Sequence, residues 1–258
     1  MLPMTINVAH AQVGMGSDLI PNLIGIGIGS TTRYSGANDS VTLGAPGFRY
    51  QFKNSNRYVD WFGPIGTVNL LESSSWQLGP ALNVRGGRHD ARDAAVAKLG
   101  EIDATVEGGL LASYTYTNFS GLPYRLRLGA IVLADLGDRY SGSNTSLFAS
   151  FWAPASSNVL LGAGVAASLV SSSFNRTYYG VDAVGATTSG LPVYTPGGGL
   201  RQWSLWQAVI VRLNKEWAIG GGVFYQRLVK DAADSPIVRQ HGDQNQWTFG
   251  AGIAYTWD

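Results

Sequence analysis

The sequence predicts an all-β protein, a transmembrane antiparallel up-and-down β-barrel of about 12 strands, with 10 strands as the alternative. Only 14% of the residues are charged, against roughly 25% in soluble domains. Apolar and small or polar residues alternate along many segments, as they do in strands. Tryptophans concentrate near the ends of those segments. A surface that faces lipid explains all three features, because it needs few charges and places aromatic side chains at the membrane interfaces.

The N-terminus and the overall composition limit the possible classes of protein. Ala9, His10 and Ala11 precede Gln12 in a pattern typical of a signal-peptidase site. We therefore expect residues 1–11 to be the remnant of a signal peptide and residues 12–258 to form a single barrel domain. A net charge of +1 gives no reason to expect nucleic acid as a partner. The absence of cysteine excludes disulfides and thiolate metal sites.

The first half of the chain shows the alternation clearly. Glycine and isoleucine alternate in residues 24–29, which favours a strand with one small face rather than a nucleotide-binding loop. From Trp76 to Val84 every second residue is apolar. The segment from Ile102 to Thr117 alternates for longer than the usual 5–6 residues of a strand. This length suits a tilted membrane strand, which needs about 9–11 residues in the hydrocarbon.

The second half contains the longest stretch without charge, residues 140–175. Its length would allow a membrane helix, but Pro154, Ser156 and Asn158 interrupt it with turn-forming residues. We therefore expect two strands. In the last segment, Trp247, Phe249 and Ile253 fall on one side and small or polar residues on the other. An apolar stripe with aromatic ends is the pattern of a lipid-facing strand.

The alternation places eleven strands, at residues 22–33, 41–53, 57–71, 75–86, 102–118, 123–134, 144–154, 158–171, 199–213, 216–230 and 244–257. Because bacterial barrels usually have an even number, we expect one further strand, in the N-terminal segment or within residues 172–199. The long connections follow even-numbered predicted strands, so we expect them on one face of the barrel. Six tryptophans are expected in the interfacial belts: Trp76, Trp152, Trp203, Trp217, Trp247 and Trp257.

Several short motifs occur in the order and spacing of one known family. They run from Arg33 to Asp39, Leu78 to Leu82, Gly100 to Glu107, Ser189 to Tyr194 and Asp231 to Val238. In these stretches the chain resembles the MipA/OmpV family. The resemblance implies a barrel in the outer membrane of a Gram-negative bacterium. In one branch it implies a scaffold that joins a lytic murein transglycosylase to a peptidoglycan synthase; other branches are linked to adhesion and stress responses.

Four charged residues are candidates for the lumen: Asp103, Glu107, Arg125 and Arg127. By alternation, the two carboxylates lie on one inward face and the two arginines on the inward face of the next strand. Within one strand the carboxylates are about 13 Å apart, too far for a glycosidase pair. We expect a network of opposite charges that fills the barrel; the alternative is a constriction that selects a small solute.

The family-like loop motif contains Asp231, Asp234, Ser235 and Pro236. We expect an external loop that Pro236 stiffens. The alternative is a cation site formed by Asp231 and Asp234 with backbone carbonyls.

Catalysis has little support in the sequence. His10 belongs to the expected signal remnant, and His89 and His241 lie in predicted long loops. No G-x-S-x-G motif marks a nucleophilic serine. We expect no catalytic residue, cofactor or metal. The expected function is a non-enzymatic envelope scaffold linked to murein enzymes and anchored in outer-membrane lipid; the alternatives are a narrow solute channel and a surface adhesin.

Overall fold

The computed structural model describes residues 21–257 as a closed barrel of twelve antiparallel strands. The strands are β1 (Asn22–Thr32), β2 (Ser40–Gln51), β3 (Tyr58–Phe62), β4 (Ile65–Asn69), β5 (Trp76–Arg85), β6 (Thr105–Asn118), β7 (Tyr124–Asp135), β8 (Ser143–Pro154), β9 (Val159–Val170), β10 (Gly199–Arg212), β11 (Trp217–Leu228) and β12 (Asn245–Trp257). The connections carry five short helices: α1 (Ala94–Ala97), α2 (Ser172–Tyr179), α3 (Ala183–Ser189), α4 (Lys230–Asp234) and α5 (Pro236–Arg239). The expected class and strand number are confirmed.

The first and last strands close the barrel. β1 pairs with β12 from Asn22 opposite Trp257 to Ser30 opposite Phe249. Each other strand pairs with its neighbours in sequence. The sheet therefore has no open edge at the closure, as the interior of a lipid bilayer requires.

The twelfth strand lies where we did not expect it. Residues 57–71, predicted as one strand, form the hairpin of β3 and β4, with Gly63 and Pro64 in the turn. Gly63 has a φ of +59°, a left-handed conformation that costs glycine little. The Gly-Pro pair was a turn signal, but apolar residues on both sides of it obscured the break. Residues 172–199, one of the two expected places, contain α2 and α3 instead.

The long connections share one end of the barrel, as expected. Because the extra strand shifts the numbering, they follow the odd-numbered strands β5, β9 and β11 rather than even-numbered ones. β1 begins and β12 ends at the opposite, short-turn end. The expected signal remnant falls outside residues 21–257. None of the helices within that range is long and apolar enough to cross a membrane.

Outward side chains form an apolar surface around the barrel. Ile24, Ile26 and Ile28 are 57–68% exposed, whereas the glycines between them face the lumen. The prediction that Trp152 lies in an interfacial belt is wrong. Trp152 lies opposite Gly162 of β9, an inward position, and its ring packs 5.5 Å from that of Trp206. A glycine at position 162 is needed because a Cβ there would lie 2.5 Å from the Trp152 ring.

The outward face generates a stability prediction. We expect Ile26→Arg to weaken folding into phospholipid vesicles by about 2–4 kcal/mol, the cost of a basic side chain near the bilayer midplane. Urea titration of the vesicle-bound protein measures the free energy of unfolding. Val184→Arg is the matched control, because Val184 is equally exposed but lies in α3, outside the barrel wall. Equal effects of the two substitutions would contradict a lipid-facing Ile26.

Candidate functional site

Five connections pack together over the long-loop end of the lumen. We call residues 33–39, 86–104, 136–142, 171–198 and 229–244 the loop cap. Its buried residues, together with Val170 and Leu228 at the ends of β9 and β11, form two apolar clusters. The first contains Tyr140, Val170, Phe174, Tyr178, Tyr179, Leu228, Ala232 and Val238, and the second contains Tyr34, Ala37, Val96, Val181, Leu191 and Ile237. Beneath the cap, inward residues such as Glu107, Leu228 and Gln246 are almost inaccessible to solvent. The cap therefore fills this end of the barrel.

The family-like loop motif belongs to the cap. The Ser235 side chain is fully buried, donates to the Tyr179 carbonyl at 2.7 Å and accepts from the Ile237 N–H. Pro236 follows it as the first residue of α5, where a proline costs the helix no hydrogen bond. Asp231 accepts from the N–H of Gly197 at 2.5 Å, and Asp234 is exposed. Ser235 and Asp231 thus each hold the connection after β11 against the connection after β9.

The two described histidines also join loop segments. His89 lies 3.2 Å from Glu101, and His241 lies 2.9 Å from Asp93. The Asp93 carboxylate accepts from the N–H groups of Ala95 and Val96 and so begins α1. Burial raises the pKa of Asp93, but these hydrogen bonds and the one with His241 outweigh it, and the net pKa lies below 3.8. Within residues 21–257 there is no cluster of three or more histidine and acidic residues that would suit a metal ion.

Glu107 is the most buried charge in the lumen, with a side-chain exposure of 0%. One of its oxygens accepts from Arg85 Nε at 2.5 Å and from the Tyr140 hydroxyl at 2.6 Å. The other accepts from Asn83 at 2.7 Å and from Arg85 Nη2 at 3.1 Å. The Arg85 guanidinium also lies over the Phe174 ring at 4.8 Å. Tyr140 and Phe174 belong to the cap, so this ion pair fastens the cap to the barrel wall.

The expected network of four charges does not form. Asp103 lies in the connection before β6 and pairs with Arg139 at 3.0 Å, and both side chains are largely exposed. Glu107 pairs with Arg85 rather than with Arg125 or Arg127. The physical reason is the antiparallel register of β6 and β7, which sets Glu107 opposite Asp135 but Arg127 opposite Thr115, toward the other end of the strands. Arg85 lies at the end of β5, on the other side of β6, and reaches Glu107 from there.

Arg125 and Arg127 instead belong to a positive region, which we call the arginine cluster and define as Arg49, Arg125 and Arg127. Arg127 donates to the Ser113 hydroxyl at 3.0 Å, and Arg49 contacts Asp60 at 3.3 Å. Arg125 experiences repulsion from both other arginines. The cluster thus brings three guanidinium groups together, and Asp60 pairs with one of them. β2 and β7 are far apart around the barrel, so the cluster narrows the lumen from two sides.

The short-turn end of the lumen contains a cavity of about 390 Å³. Large apolar side chains from four strands contribute to its lining: Leu23, Phe62, Leu160 and Ile210. Glycine or alanine occupies other lining positions: Gly25, Gly27, Ala45, Ala218, Gly220, Gly252 and Ala254. Arg212 and the turn at Ser156–Asn158 add polar groups at the mouth. The two ends of the lumen therefore differ, because loops fill one end, whereas the other contains a mainly apolar cavity beside the arginine cluster.

Sequence reasoning missed Tyr140, Arg201 and Phe174 as lumen residues. Arg201 is buried at the start of β10, and its guanidinium lies 5.2 Å from the Phe174 ring on which Arg85 also packs. The alternation along β5 was a usable signal for Arg85, because it places this residue on the inward face. No sequence signal marks Tyr140 and Phe174, because they reach the lumen from folded connections rather than from strands.

Residues 24–257 match the family described as MltA-interacting protein MipA. Over 85 residues the chain is 36% identical to the outer membrane protein OmpV of Vibrio cholerae serotype O1. This alignment covers 33% of the chain and 31% of that protein, so it spans about a third of the relative's length.

Two solved structures show the same type of barrel. The NanC porin aligns with 91% of this chain and 100% of its own, at 8% identity and a TM-score of 0.50. An outer-membrane channel from Pseudomonas putida F1 aligns with 92% of this chain and 96% of its own, at 10% identity and a TM-score of 0.50. At such identities the likeness concerns the fold alone. With the OmpV similarity, it places the protein in the outer membrane of a Gram-negative bacterium.

The buried ion pair predicts a large loss of stability. We expect Glu107→Gln to destabilise the folded barrel by about 3–5 kcal/mol, because Arg85 is left buried without its counter-charge. Tyr140→Phe removes one hydrogen bond to the carboxylate and is expected to cost about 1.5–3 kcal/mol. Glu101→Gln, which changes an exposed partner of His89, is the control. An unfolding free energy that is unchanged in Glu107→Gln would contradict the role of this pair.

The lowered pKa of Asp93 predicts a pH-dependent cap. A carboxylate with a depressed pKa stabilises the fold above its unfolded value of 3.8, and this contribution is lost as the pH falls through the folded value. Asp93→Asn keeps a good helix N-cap but removes the charge. Hydrogen exchange of α1 amides at pH 6 and pH 3 is the measurement. The wild type should lose more protection than the variant, and equal losses would refute the assignment.

Proposed function

The chain belongs to the MltA-interacting protein MipA family, and from that premise we propose a non-enzymatic envelope scaffold. Its barrel anchors the protein in outer-membrane lipid, and its short-turn end docks peptidoglycan enzymes in the periplasm. The partners that the family implies are a lytic murein transglycosylase and a peptidoglycan synthase. Barrels of this type have short periplasmic turns and long external loops, so the loop cap faces outward.

The filled long-loop end is the observation that carries this proposal. A barrel whose outer end is packed with two apolar clusters and a buried ion pair is poorly suited to passive diffusion. The short-turn end, by contrast, exposes its turns to solvent. The Glu72 carboxylate accepts from the Asn56 N–H at 2.9 Å and the Ser55 hydroxyl at 2.9 Å, and it pairs with Arg57 at 3.1 Å. These contacts tie two neighbouring turns into one surface.

That surface also suits a protein partner in its chemistry. The hydrogen bonds from Asn56 and Ser55 lower the pKa of Glu72, so the group stays ionised over the whole physiological range. Nearby turns expose apolar side chains, among them Leu122 at 71% and Phe119 at 55%. A rigid patch that combines a fixed charge with exposed apolar groups loses little entropy on binding. Such a patch supports docking better than it supports catalysis.

The chain lacks cysteine, which permits a direct test of the docking end. Ser74→Cys places a thiol on the short-turn end, and Val184→Cys places one on the cap. Each variant, labelled with maleimide polyethylene glycol, is mounted in nanodiscs and titrated with a purified lytic murein transglycosylase. We expect the polymer at position 74 to abolish binding and the polymer at position 184 to leave it unchanged. Binding that neither label affects, or no binding by the unlabelled protein, would overturn the proposal.

The arginine cluster favours a second candidate, a narrow channel for small anions. Excess positive charge at a constriction selects anions, and Asp103 and Glu107 take no part in it, since each is paired elsewhere. Planar-bilayer recording separates the two functions. The scaffold is expected to show no steady conductance above background. Steady anion conductance that Arg125→Gln and Arg127→Gln reduce would instead establish the channel.

A further inference from the structure

We propose that the cavity at the short-turn end binds a single-chain anionic amphiphile, with its acyl chain in the lumen and its head group at Arg212. The ligand class comprises fatty acids and lysophospholipids, which share one linear chain and one anionic head. The proposal is independent of the docking function and goes beyond it, because it assigns a role to the inside of the barrel rather than to its turns.

The lining of the cavity argues for an apolar ligand. Phe62 faces the lumen, since it lies opposite the inward Gly47, yet 39% of its surface is exposed. Leu160 and Ile210 face each other across β9 and β10 on the inward side. Pockets that bind small molecules have volumes of about 300–1,000 Å³ and mainly apolar walls with a few polar groups. The cavity of about 390 Å³ fits that description.

The shape of the cavity argues for a linear chain. Gly27, Gly252 and Gly220 lie side by side on β1, β12 and β11, and all three line the cavity. The adjacent lining positions Ala218 and Ala254 carry only a methyl group. On this side, therefore, almost no side chain projects from the barrel wall into the lumen, and the free space extends along the strands. A straight acyl chain fills such a trough with contacts along its whole length.

The mouth of the cavity argues for an anionic head group. Arg212 ends β10 on the inward side, at the lumen wall, and its side chain is exposed. Among residues 21–257 it forms no ion pair with a carboxylate. The backbone N–H of Arg212 donates to the Asn158 carbonyl at 2.8 Å. This hydrogen bond holds the polar turn at Ser156–Asn158 beside Arg212. A guanidinium group binds carboxylate or phosphate through two parallel hydrogen bonds, so the head group lies at the periplasmic surface.

A photoreactive probe tests the position of the chain. The protein in nanodiscs is irradiated with a 12-carbon fatty acid carrying a diazirine on its chain, and the labelled residues are mapped. Leu160 faces the lumen and Leu161 faces lipid, so the ratio of their labels reports lumen binding against bilayer partitioning. We expect clear labelling of Leu160. Labels confined to lipid-facing residues would overturn the proposal.

A matched pair of substitutions tests the cavity itself. Gly220→Leu projects into the lumen and Gly221→Leu into lipid, and a Cβ at either position meets only ordinary contacts. Each displaced methylene lowers affinity about fourfold, so Gly220→Leu should reduce the Leu160 label by about tenfold or more. Gly221→Leu should leave it unchanged. A heat-modifiability gel verifies folding, and Ala218→Leu replaces Gly220→Leu if that variant fails to fold. Equal labelling in both variants would refute the cavity as the site.

Charge substitutions and competitors test the head group. Arg212→Gln should raise the concentration needed for half-maximal labelling about tenfold or more, whereas Lys215→Gln, in the neighbouring turn, should not. Unlabelled dodecanoate and lauroyl lysophosphatidylglycerol are the competitors, and the stronger one identifies the head group. Displacement by neither overturns the proposal. Labelling that appears only after residues 12–20 are deleted also overturns it, since the chain itself would then be the occupant.

Discussion

Pairing of every backbone N–H and C=O within the chain is the constraint on which this structure depends. In a bilayer no water compensates an open sheet edge, so β1 must meet β12. Closure in turn fixes which side chains face lipid, because the side-chain period is two residues. Ile26 then contacts lipid and Gly27 contacts the lumen. The same alternation decides which strand side chains face the lumen.

Closure leaves a lumen that must be filled or kept open, and this chain does both. At the long-loop end, polar and charged side chains are buried, and Glu107 is satisfied by Arg85, Tyr140 and Asn83. A charge in such a place is stable only when its hydrogen-bonding capacity is used fully. At the short-turn end, polar side chains such as Gln77 and Ser113 are also buried, but glycine and alanine leave a cavity on the side of β1, β11 and β12. One barrel thereby combines an end that loops fill with an end that keeps a cavity.

This asymmetry gives the two ends different roles. The cap is held by contacts between separate connections, such as Ser235 with Tyr179 and Asp93 with His241, which make it a stable closure rather than a set of free loops. The periplasmic end combines fixed turns with an apolar cavity. The proposed docking of murein enzymes and the proposed binding of an amphiphile are compatible, because the first proposal concerns the turns and the second concerns the lumen.

The sequence by itself determined the barrel, the outward apolar stripe and the common side of the long connections, because alternation and turn residues are local properties. The alternation placed eleven strands, and the expectation of a twelfth came from the even strand number of bacterial barrels. It misplaced one strand, since the apolar residues on both sides of Gly63 obscured the turn there. Only the tertiary structure decided the partner of Glu107. The alternation places Arg85, Arg125 and Arg127 all on inward positions. Which of them pairs with Glu107 depends on the strand register and on the distance within the lumen. The loop cap was likewise a tertiary outcome, because its aromatic side chains come from connections without a period.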